Sequence, residues 1–511
     1  MKRHLQNLAL VVVALLLSAV GAEGVARWLD KQPMFAMPLV SGTMPDKAVS
    51  PDSLPLASGI SRSWFQTSPP PLPNRATPSA EWQSAVAAYR SAPPAPTPYG
   101  ALLPDDMFKA WNAAFAGEPC RHPPLAQMPS RRLYLFDPSD DAARPTFRYM
   151  PNATTPAGLV TNEIGWRGPP LKRRKPNTVR IVFIGASTTA EAHETPWSYP
   201  ELVGHWLELW AAARGLDLDI QALNAGREGT ISTDTAAVVR NEVVPMHPDL
   251  VVYYEGANQF DLSSIARGAN GNLRGRTTVP VEQPSWLATF ARYSSIGVRL
   301  RSALTLIGDR GNGREPEKPA YTIEWPAGLD EADPDLGSPS LPVNLGTILH
   351  DLDSMRADLH GVSAELAVSS FVWLVHDGMV VDPLRGRFIW QQLNRTYWPW
   401  RYRDMARLAA FQNRVFGKYA AQHGLPFIDV ARDMPQDPSL FSDAIHTTPT
   451  GVRVRAWIVF QQLVPILESR LKRGAWPTGS TAEQWPTFVP RTVALDCRRG
   501  EQGAWQEPRS R

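Results

Sequence analysis

The sequence predicts an α/β fold with a doubly wound, mainly parallel sheet flanked by helices. The first observation is a β-branched run at residues 179–184, which ends in Gly185 and is typical of a buried strand. The second is that four similar runs follow it, with stretches of helical periodicity between them. Strands that alternate with helices favour a parallel sheet covered by helices. No internal repeat is present.

The individual elements follow from the same patterns. Strands are expected at residues 179–184, 218–223, 250–254, 366–375 and 426–430. Helices are expected at residues 199–214, 233–242, 344–360, 403–423 and 451–470. Residues 262–343 interrupt the alternation, with Gly- and Arg-rich turns and a helix expected near 286–307. A loop this long is usually functional or disordered, so a lid, a substrate platform and a tolerated surface insertion all stay open.

The first thirty residues predict a membrane segment. Lys2 and Arg3 precede an uncharged run of eighteen residues from Leu5 to Ala22. As a helix that run would rise about 27 Å, close to the thickness of a hydrocarbon core. Small residues at 20–22 allow a cleaved signal peptide, whereas the helical continuation to Trp28 favours an uncleaved anchor. Basic residues at the N-terminus place that end in the cytoplasm and the bulk of the chain outside.

The rest of the chain divides by composition. Residues 31–100 are dense in Pro, Ser and Ala, and we expect an extended stalk, because proline fixes φ and lacks an amide donor. Residues 101–160 are expected to form an ordered but irregular extension. The α/β domain is assigned to residues 161–472, with the interruption 262–343 inside it. Residues 473–511 form a tail rich in Trp and Pro, which could pack back on the body.

Composition excludes several classes of protein. The 511 residues are 43% apolar and 20% charged, which is enough for a sizeable core and too balanced for a wholly disordered chain. The net charge of +3 argues against a nucleic-acid partner, since such proteins usually carry a concentrated basic stripe. The chain has two cysteines, Cys120 and Cys497, which is too few for a disulfide scaffold or a multi-cysteine zinc module. They could form a disulfide in an oxidising compartment or stay as two free thiols, and both alternatives stay open. His193 and Glu194 lack further ligands, so no metal is expected.

Residues that could take part in catalysis follow the predicted strands. Ser187 comes after the first strand, Gly226 after the second and Asn258 after the third, while Asp443 and His446 come just before the last helix. In an open α/β sheet, ligands bind outside the carboxyl ends of the strands. Each residue alone is more often a turn or cap residue. Together they supply a nucleophile, amide donors, a base and an orienting carboxylate, which is the inventory for acyl transfer.

These segments, in this order and at these strand ends, resemble the SGNH (GDSL-type) hydrolase family. Residues 162–168, Asn-Glu-Ile-Gly-Trp-Arg-Gly, resemble the segment before the first strand in membrane-anchored bacterial members. The resemblance covers roughly residues 160–472 and implies flavodoxin-like layering of helices and sheet. Two positions depart from the family pattern: Ala186 replaces the acidic residue often found before the serine, and Gln259 replaces the Asp that commonly follows the asparagine.

The resemblance implies that Ser187, His446 and Asp443 form a catalytic triad, and that Ser187, Gly226 and Asn258 supply oxyanion donors. Physical chemistry supports each role. His446 titrates near neutrality and can take the hydroxyl proton of Ser187, which is a poor nucleophile until a base removes it. Asp443, three residues earlier, can accept from the imidazole Nδ1–H. Glycine lets its amide approach a substrate closely, and the asparagine side chain can donate to a developing oxyanion.

The expected function is therefore a serine esterase that needs no cofactor and cleaves acyl esters of carbohydrate or lipid at the cell envelope. The family resemblance and the basic N-terminus imply a single-pass protein of the bacterial inner membrane with a periplasmic catalytic domain, or a secreted protein if the helix is cleaved. Two alternatives stay open: an O-acyltransferase acting on envelope or exported polysaccharide, and a non-catalytic carbohydrate-binding component. His376 follows the fourth strand and is either a substrate contact or a packed histidine. No Gly-x-Ser-x-Gly motif occurs, which disfavours the α/β-hydrolase fold.

Overall fold

The structure is a computed structural model. It describes residues 2–30, 34–35, 47–72, 132–137, 149, 159–191, 196–268, 271–272, 290–291, 293–300, 313–382, 385–486 and 489–494. Cys120, Cys497, His193 and Glu194 lie outside the described residues, and so do most of the predicted extension and about half of the predicted tail.

The strands and helices are numbered in chain order. The strands are β1 (Arg132–Asp137), β2 (Thr178–Gly185), β3 (Asp219–Asn224), β4 (Leu250–Tyr254), β5 (Ala266–Gly268), β6 (Gly271–Asn272), β7 (Tyr321–Ile323), β8 (Glu365–Ser369), β9 (Phe427–Ile428) and β10 (Val489–Ala494). The α-helices are α1 (Lys2–Leu29), α2 (Ser187–Ala190), α3 (Tyr199–Ala213), α4 (Ser232–Val238), α5 (Leu345–His360), α6 (Arg387–Gln391), α7 (Tyr402–Gln422), α8 (Val430–Asp433) and α9 (Pro449–Lys472).

The centre of the fold is a five-stranded sheet in the order β3-β2-β4-β8-β9, with every neighbouring pair parallel. The first strand of the sheet, β2, lies between the second and the third. This is the strand order of flavodoxin-like sheets, in which the chain changes direction across the sheet at the first strand. The observed fold confirms the predicted doubly wound α/β class. The carboxyl ends of β2 and β4 border the crevice where such folds bind ligands.

Helices cover the sheet, because the strands at its centre are apolar on both faces. Every residue of β2 and of β4 is buried. Strands buried on both faces read as continuous hydrophobic runs, which is why these two were recognisable in the sequence. Helix α3 packs against α9, and α5 packs against α4 and α7. Aromatic rings fill the interface of α3 and α9, where Trp206 and Trp457 meet edge to face with centroids 5.1 Å apart.

The fourth strand of the sheet is shorter than predicted. We expected it to run to residue 375, but β8 ends at Ser369. The N–H of Ser370 still donates to Ile428 of β9 at 3.0 Å, but the N–H groups of Phe371 and Leu374 bond outside the sheet. The N–H of Phe371 donates to Asn413 Oδ1 at 2.7 Å, and the N–H of Leu374 donates to the carbonyl of Ala444 at 2.8 Å. The apolar run continues because these residues stay buried, although they no longer belong to a strand.

Part of the predicted stalk lies against the body. Leu54, Ile60 and Phe65 are buried in the main core. The indole of Trp457 donates to the carbonyl of Pro55 at 2.9 Å, and the guanidinium of Arg453 donates to the carbonyl of Phe65 at 2.7 Å. Proline-rich composition predicted an extended backbone for residues 31–100 and did not show that residues 51–68 would pack on α9. The assignment of residues 31–100 as a stalk stays a prediction, with residues 51–68 of it lying against the body.

The segments outside the α/β domain show two further features. Strands β1 and β10 pair antiparallel, with Arg132 opposite Ala494, so the predicted extension and the tail join each other. Within the described part of the chain, one helical segment is long and apolar enough to cross a membrane, Gln6–Leu29, with a mean hydropathy of 2.3. A signal sequence has the same character, so both interpretations of the N-terminus stay open.

The end of β2 yields a stability prediction. Gly185 has φ +151°, and a Cβ there would lie 2.1 Å from the carbonyl oxygen of Tyr254. We expect Gly185→Ala to lower the free energy of unfolding by about 4 kcal/mol or more, because the backbone of two central strands would have to separate. Gly215 is the matched control, since its φ is +65° and nothing lies within 4 Å of its Cβ position. Gly215→Ala should cost only about 1 kcal/mol. Equal losses in urea unfolding would contradict the packing argument.

Candidate active site

The hydroxyl of Ser187 lies at the carboxyl end of β2. The strand ends at Gly185, and Ser187 is the first residue of the short helix α2. The side chain is only 6% exposed. As the first helical residue it has no partner for its N–H within the helix, and no acceptor for that N–H occurs in the described part of the chain. A hydroxyl and a free amide therefore occur on the same residue.

His446 and Asp443 complete a continuous hydrogen-bonded series with Ser187. The imidazole Nε2 of His446 lies 2.8 Å from Ser187 Oγ, although the two residues are 259 positions apart in the sequence. The imidazole Nδ1 lies 2.7 Å from Asp443 Oδ2. An ionised carboxylate can only accept, so the Nδ1 must carry the proton and the Nε2 is left to accept from the hydroxyl.

The same carboxylate also shapes the turn that carries the histidine. Asp443 Oδ1 accepts from the backbone N–H groups of Ile445 at 2.9 Å and of His446 at 2.8 Å. The turn is fixed to the body on both sides of Ala444, whose carbonyl accepts from the N–H of Leu374 at 2.8 Å and whose N–H donates to Gln392 Oε1 at 2.6 Å. The imidazole is thus positioned by a rigid turn rather than by its own packing alone.

Asn258 lies in the loop after β4, at the same edge of the sheet. Its side chain is exposed, and its Nδ2 donates one proton to the carbonyl of Thr230 at 2.7 Å. The second proton of that amide has no acceptor in the part of the chain that the structure describes. The Thr230 hydroxyl lies 3.3 Å from the carbonyl of Gly185, which places this loop beside the end of β2. The second proton of Asn258 is available to a ligand.

The structure does not present the N–H of Gly226 as a free donor. That N–H donates to Asn224 Oδ1 at 2.9 Å, inside its own turn. A glycine is needed here for another reason: a Cβ would lie 2.6 Å from the backbone nitrogen of Ala190 in α2. The expectation that Gly226 supplies an oxyanion donor came from the family resemblance, with its missing Cβ as physical support. The close approach to Ala190 gives the missing Cβ a packing reason.

Gly229, later in the same loop, was missed by the sequence argument. It is exposed, its φ is +68°, and its N–H has no acceptor among the described residues. It directly precedes Thr230, whose carbonyl holds Asn258. The loop after β3 contains two glycines, Gly226 and Gly229, so the sequence offered a second candidate. Glycine suits position 229 because the backbone there is left-handed.

Neither His376, the predicted substrate contact, nor any cluster of metal ligands adds a residue to the site in the described part of the chain. His376 is exposed, and its Nδ1 lies 3.0 Å from the backbone carbonyl of Asp377. In the described part of the chain, no hydrogen bond or ring contact joins it to the triad. The same residues contain no cluster of three or more His, Cys, Asp or Glu side chains that could hold a metal ion.

A buried ion pair connects the end of the helix that Ser187 begins to the helix after His446. Arg455 of α9 pairs with Glu191, the residue that follows α2. The guanidinium lies 5.0 Å from the ring centroid of Tyr199 and 5.1 Å from that of Tyr254, and its burial lowers the pKa of Arg455 to about 9. The pair holds the end of α2 against α9. Nothing in the sequence indicated it, because the partners lie on distant elements.

Glu255 is a buried carboxyl that supports the Asn258 loop. Its Oε1 accepts from the backbone N–H groups of Ala257 at 3.0 Å and of Asn258 at 2.8 Å. Its Oε2 is buried and has no hydrogen-bond partner in the described part of the chain. Burial raises the pKa of Glu255 to about 7, although the bonds from backbone N–H groups act in the opposite direction.

Comparisons with known proteins give structural neighbours only. No protein-family model and no curated protein matches the chain. The chain is similar to the lipase/acylhydrolase from Enterococcus faecalis (16% identity, 56% of this chain and 96% of that one, TM-score 0.30). It is also similar to a GDSL-like lipase from Bacteroides thetaiotaomicron (12%, 59% and 93%, TM-score 0.29) and to Axe2, an acetylxylan esterase from Geobacillus stearothermophilus (14%, 57% and 96%, TM-score 0.31). At these TM-scores, an activity has to be argued from the geometry of the site.

The buried carboxyl of Glu255 predicts a specific pH dependence of stability. Its pKa is about 7 in the folded chain and 4.5 when unperturbed, so the unfolded state binds fewer protons between these values. The contribution of Glu255 to stability is therefore present below pH 4.5 and is lost as the pH rises through 7. Glu255→Gln removes this titration. We expect the free energy of unfolding of the variant, relative to the unmodified chain, to increase by about 3 kcal/mol across that range.

The measurement is urea unfolding of both chains at a series of pH values. Glu317→Gln, at an exposed glutamate, is the control and should give a profile parallel to that of the unmodified chain. A parallel profile for Glu255→Gln as well would contradict the assignment of a buried, late-titrating carboxyl.

Proposed function

We propose that this protein is a serine esterase that cleaves acyl esters, with Ser187 as nucleophile, His446 as general base and acid, and Asp443 as the residue that orients the imidazole. One observation carries the proposal: Ser187 Oγ, the two imidazole nitrogens and the Asp443 carboxylate form one unbroken series at 2.8 and 2.7 Å. Ser187 follows the carboxyl end of β2, and the turn that carries Asp443 and His446 meets it at this edge of the sheet, where α/β folds bind their ligands.

The reaction begins when Ser187 Oγ attacks the ester carbonyl carbon and His446 Nε2 takes the hydroxyl proton. The carbonyl oxygen becomes an oxyanion in the tetrahedral intermediate. The N–H groups of Ser187 and Gly229 and the free side-chain proton of Asn258 are the proposed donors to it. Donors that are fixed before the reaction stabilise this charge without reorganisation, and one such donor is worth about 3 kcal/mol in comparable sites.

The intermediate collapses when the C–O bond to the alcohol breaks and His446 returns the proton to the leaving oxygen. The acyl group is then bonded to Ser187. A water molecule attacks this ester, His446 takes its proton, and the released Ser187 recovers that proton as the carboxylic acid leaves. Asp443 stays ionised throughout and stabilises the imidazolium that forms in each half-reaction.

We further propose that the esterase acts at a bacterial cell envelope on acyl esters of carbohydrate or lipid. The apolar segment Gln6–Leu29 supports a membrane location, and the basic residues before it support a catalytic domain outside the cytoplasm. Anchorage in the inner membrane is the proposal for this segment, and secretion after cleavage is the alternative.

The nucleophile is tested by Ser187→Ala. We expect kcat/KM for short acyl esters to fall by about 10⁴-fold or more, because no other group can form the acyl intermediate. Ser264→Ala changes an exposed serine in the loop beyond Asn258 and is the matched control, which should keep full activity. Both variants should unfold at the temperature of the unmodified chain. Activity that persists in Ser187→Ala would refute the assignment.

A further inference from the structure

The long interruption of the sheet begins close to the candidate site. After the Asn258 loop, the chain leaves the body along β5 and returns along β7, and these strands pair antiparallel with Ala266 opposite Ile323. The returning strand is fixed to the body, because the hydroxyl of Tyr321 donates to Asp404 Oδ2 at 2.6 Å. The stretch of chain between these strands, residues 269–320, therefore starts and ends at one anchored strand pair, and we call it the excursion.

The described residues of this excursion between 290 and 300, which are 290–291 and 293–300, contact the end of α1 through polar groups. Both carboxylate oxygens of Glu23 are used: one accepts from the N–H of Ser295 at 2.8 Å, and the other accepts from the hydroxyl of Ser294 at 2.7 Å. Arg299 donates to Asp30, the residue after α1, at 2.6 Å. The charges at this end of the apolar helix are thus satisfied by the excursion.

Residues 290–300 have one face buried and one face exposed. Ala291, Ser295 and Val298 are buried. The large apolar side chains of Phe290 and Leu300 are 42% and 40% exposed, and the Tyr293 side chain is 38% exposed. Single exposed apolar residues need no explanation, but these occur on a segment bound to the end of an apolar helix.

Helix α1 adds exposed apolar side chains at the same end. Trp28 and Leu29, its last two residues, are exposed. Tryptophan and tyrosine are enriched where a membrane segment leaves the hydrocarbon core, since their rings are apolar and carry one polar group. Trp28 and Tyr293 meet this description. The two carboxylates at this end of the helix are paired with cations, Glu23 with Arg27 and Asp30 with Arg299.

We propose that residues 290–300 form a second membrane contact, which lies in the headgroup region of the bilayer that α1 enters. Phe290, Tyr293 and Leu300 contact lipid together with Trp28. The occupant is a phospholipid surface rather than a second copy of the chain, because the segment is hydrogen-bonded to the end of the helix that enters the membrane, where Arg27 donates to the carbonyl of Tyr293 at 3.1 Å. This inference rests on the proposed membrane location of α1 and is independent of the esterase reaction.

The consequence is a body attached to the membrane at two points. A single helix followed by a linker leaves a domain free to rotate above the bilayer. An interfacial segment in the same chain restricts that rotation, because its apolar face has to stay at the lipid boundary. Since this segment belongs to the excursion that follows the Asn258 loop, the membrane contact and the candidate site are joined by one stretch of chain.

Photocrosslinking of the full-length chain in vesicles tests the proposal. Benzoylphenylalanine is incorporated at Phe290 or at Leu300, and the protein is reconstituted into phosphatidylethanolamine–phosphatidylglycerol vesicles that contain a labelled phosphatidylcholine. Leu15 in α1 is the positive control. Leu216, which is 37% exposed on the α/β body, is the matched negative control. We expect lipid adducts at Phe290 and Leu300 at a level comparable to Leu15, and only background labelling at Leu216.

Each other outcome overturns the proposal. Adducts at Leu15 with background labelling at Phe290 and Leu300 would leave α1 in the membrane and remove the second contact. Background labelling at Leu15 as well would remove both. Protein–protein adducts at Phe290 and Leu300 would assign the exposed face to a second copy of the chain, and equal lipid adducts at Leu216 would show contact without specificity. Variants are compared only after each shows the thermal unfolding of the unmodified chain, which separates these outcomes from misfolding.

Discussion

The hydrogen bond between His446 Nδ1 and Asp443 Oδ2 is the contact on which the proposed chemistry depends. It fixes the tautomer of the imidazole, and the tautomer decides whether Nε2 faces Ser187 as an acceptor or as a donor. The same carboxylate accepts hydrogen bonds from two backbone N–H groups of the turn, those of Ile445 and His446. One ionised side chain therefore sets both the shape of the loop and the protonation of its histidine.

The sheet supplies the other half of the site. Because β2 lies between β3 and β4, the loops after these strands open onto one edge of the sheet, which carries Ser187, Asn258 and Gly229. Gly185 lets the backbone just before Ser187 lie close to the carbonyl of Tyr254. Buried groups below this edge, the pair Arg455–Glu191 and the carboxyl of Glu255, have no direct part in the proposed reaction and hold the loops that do.

Local patterns in the sequence predicted the elements but not all of their limits. Strand β2 was recognisable because a buried parallel strand is apolar on both faces. The end of β8 was not, because the N–H groups beyond it bond to Asn413 and Ala444, which lie far along the chain. Residues 51–68 were predicted as extended from their composition, which says nothing about the surface that an extended segment covers.

In the candidate site, too, some features could be predicted from the sequence and others could not. Residue types and their order after the strands predicted that Ser187, His446 and Asp443 come together, and their hydrogen bonds join them. The donation of the Gly226 N–H to Asn224 Oδ1 and the positive φ of Gly229 are not visible in a sequence.

The most direct measurement of the central claim is labelling with a fluorophosphonate probe, followed by mass spectrometry to locate the modified residue. Phosphonylation requires a serine that is activated by a base, so it reports the relay itself without any assumption about the natural substrate. We expect a single adduct on Ser187 that forms rapidly in the unmodified chain and slowly in His446→Ala. An unmodified Ser187, or equal rates with and without the imidazole, would contradict the claim that these three residues act as one catalytic unit.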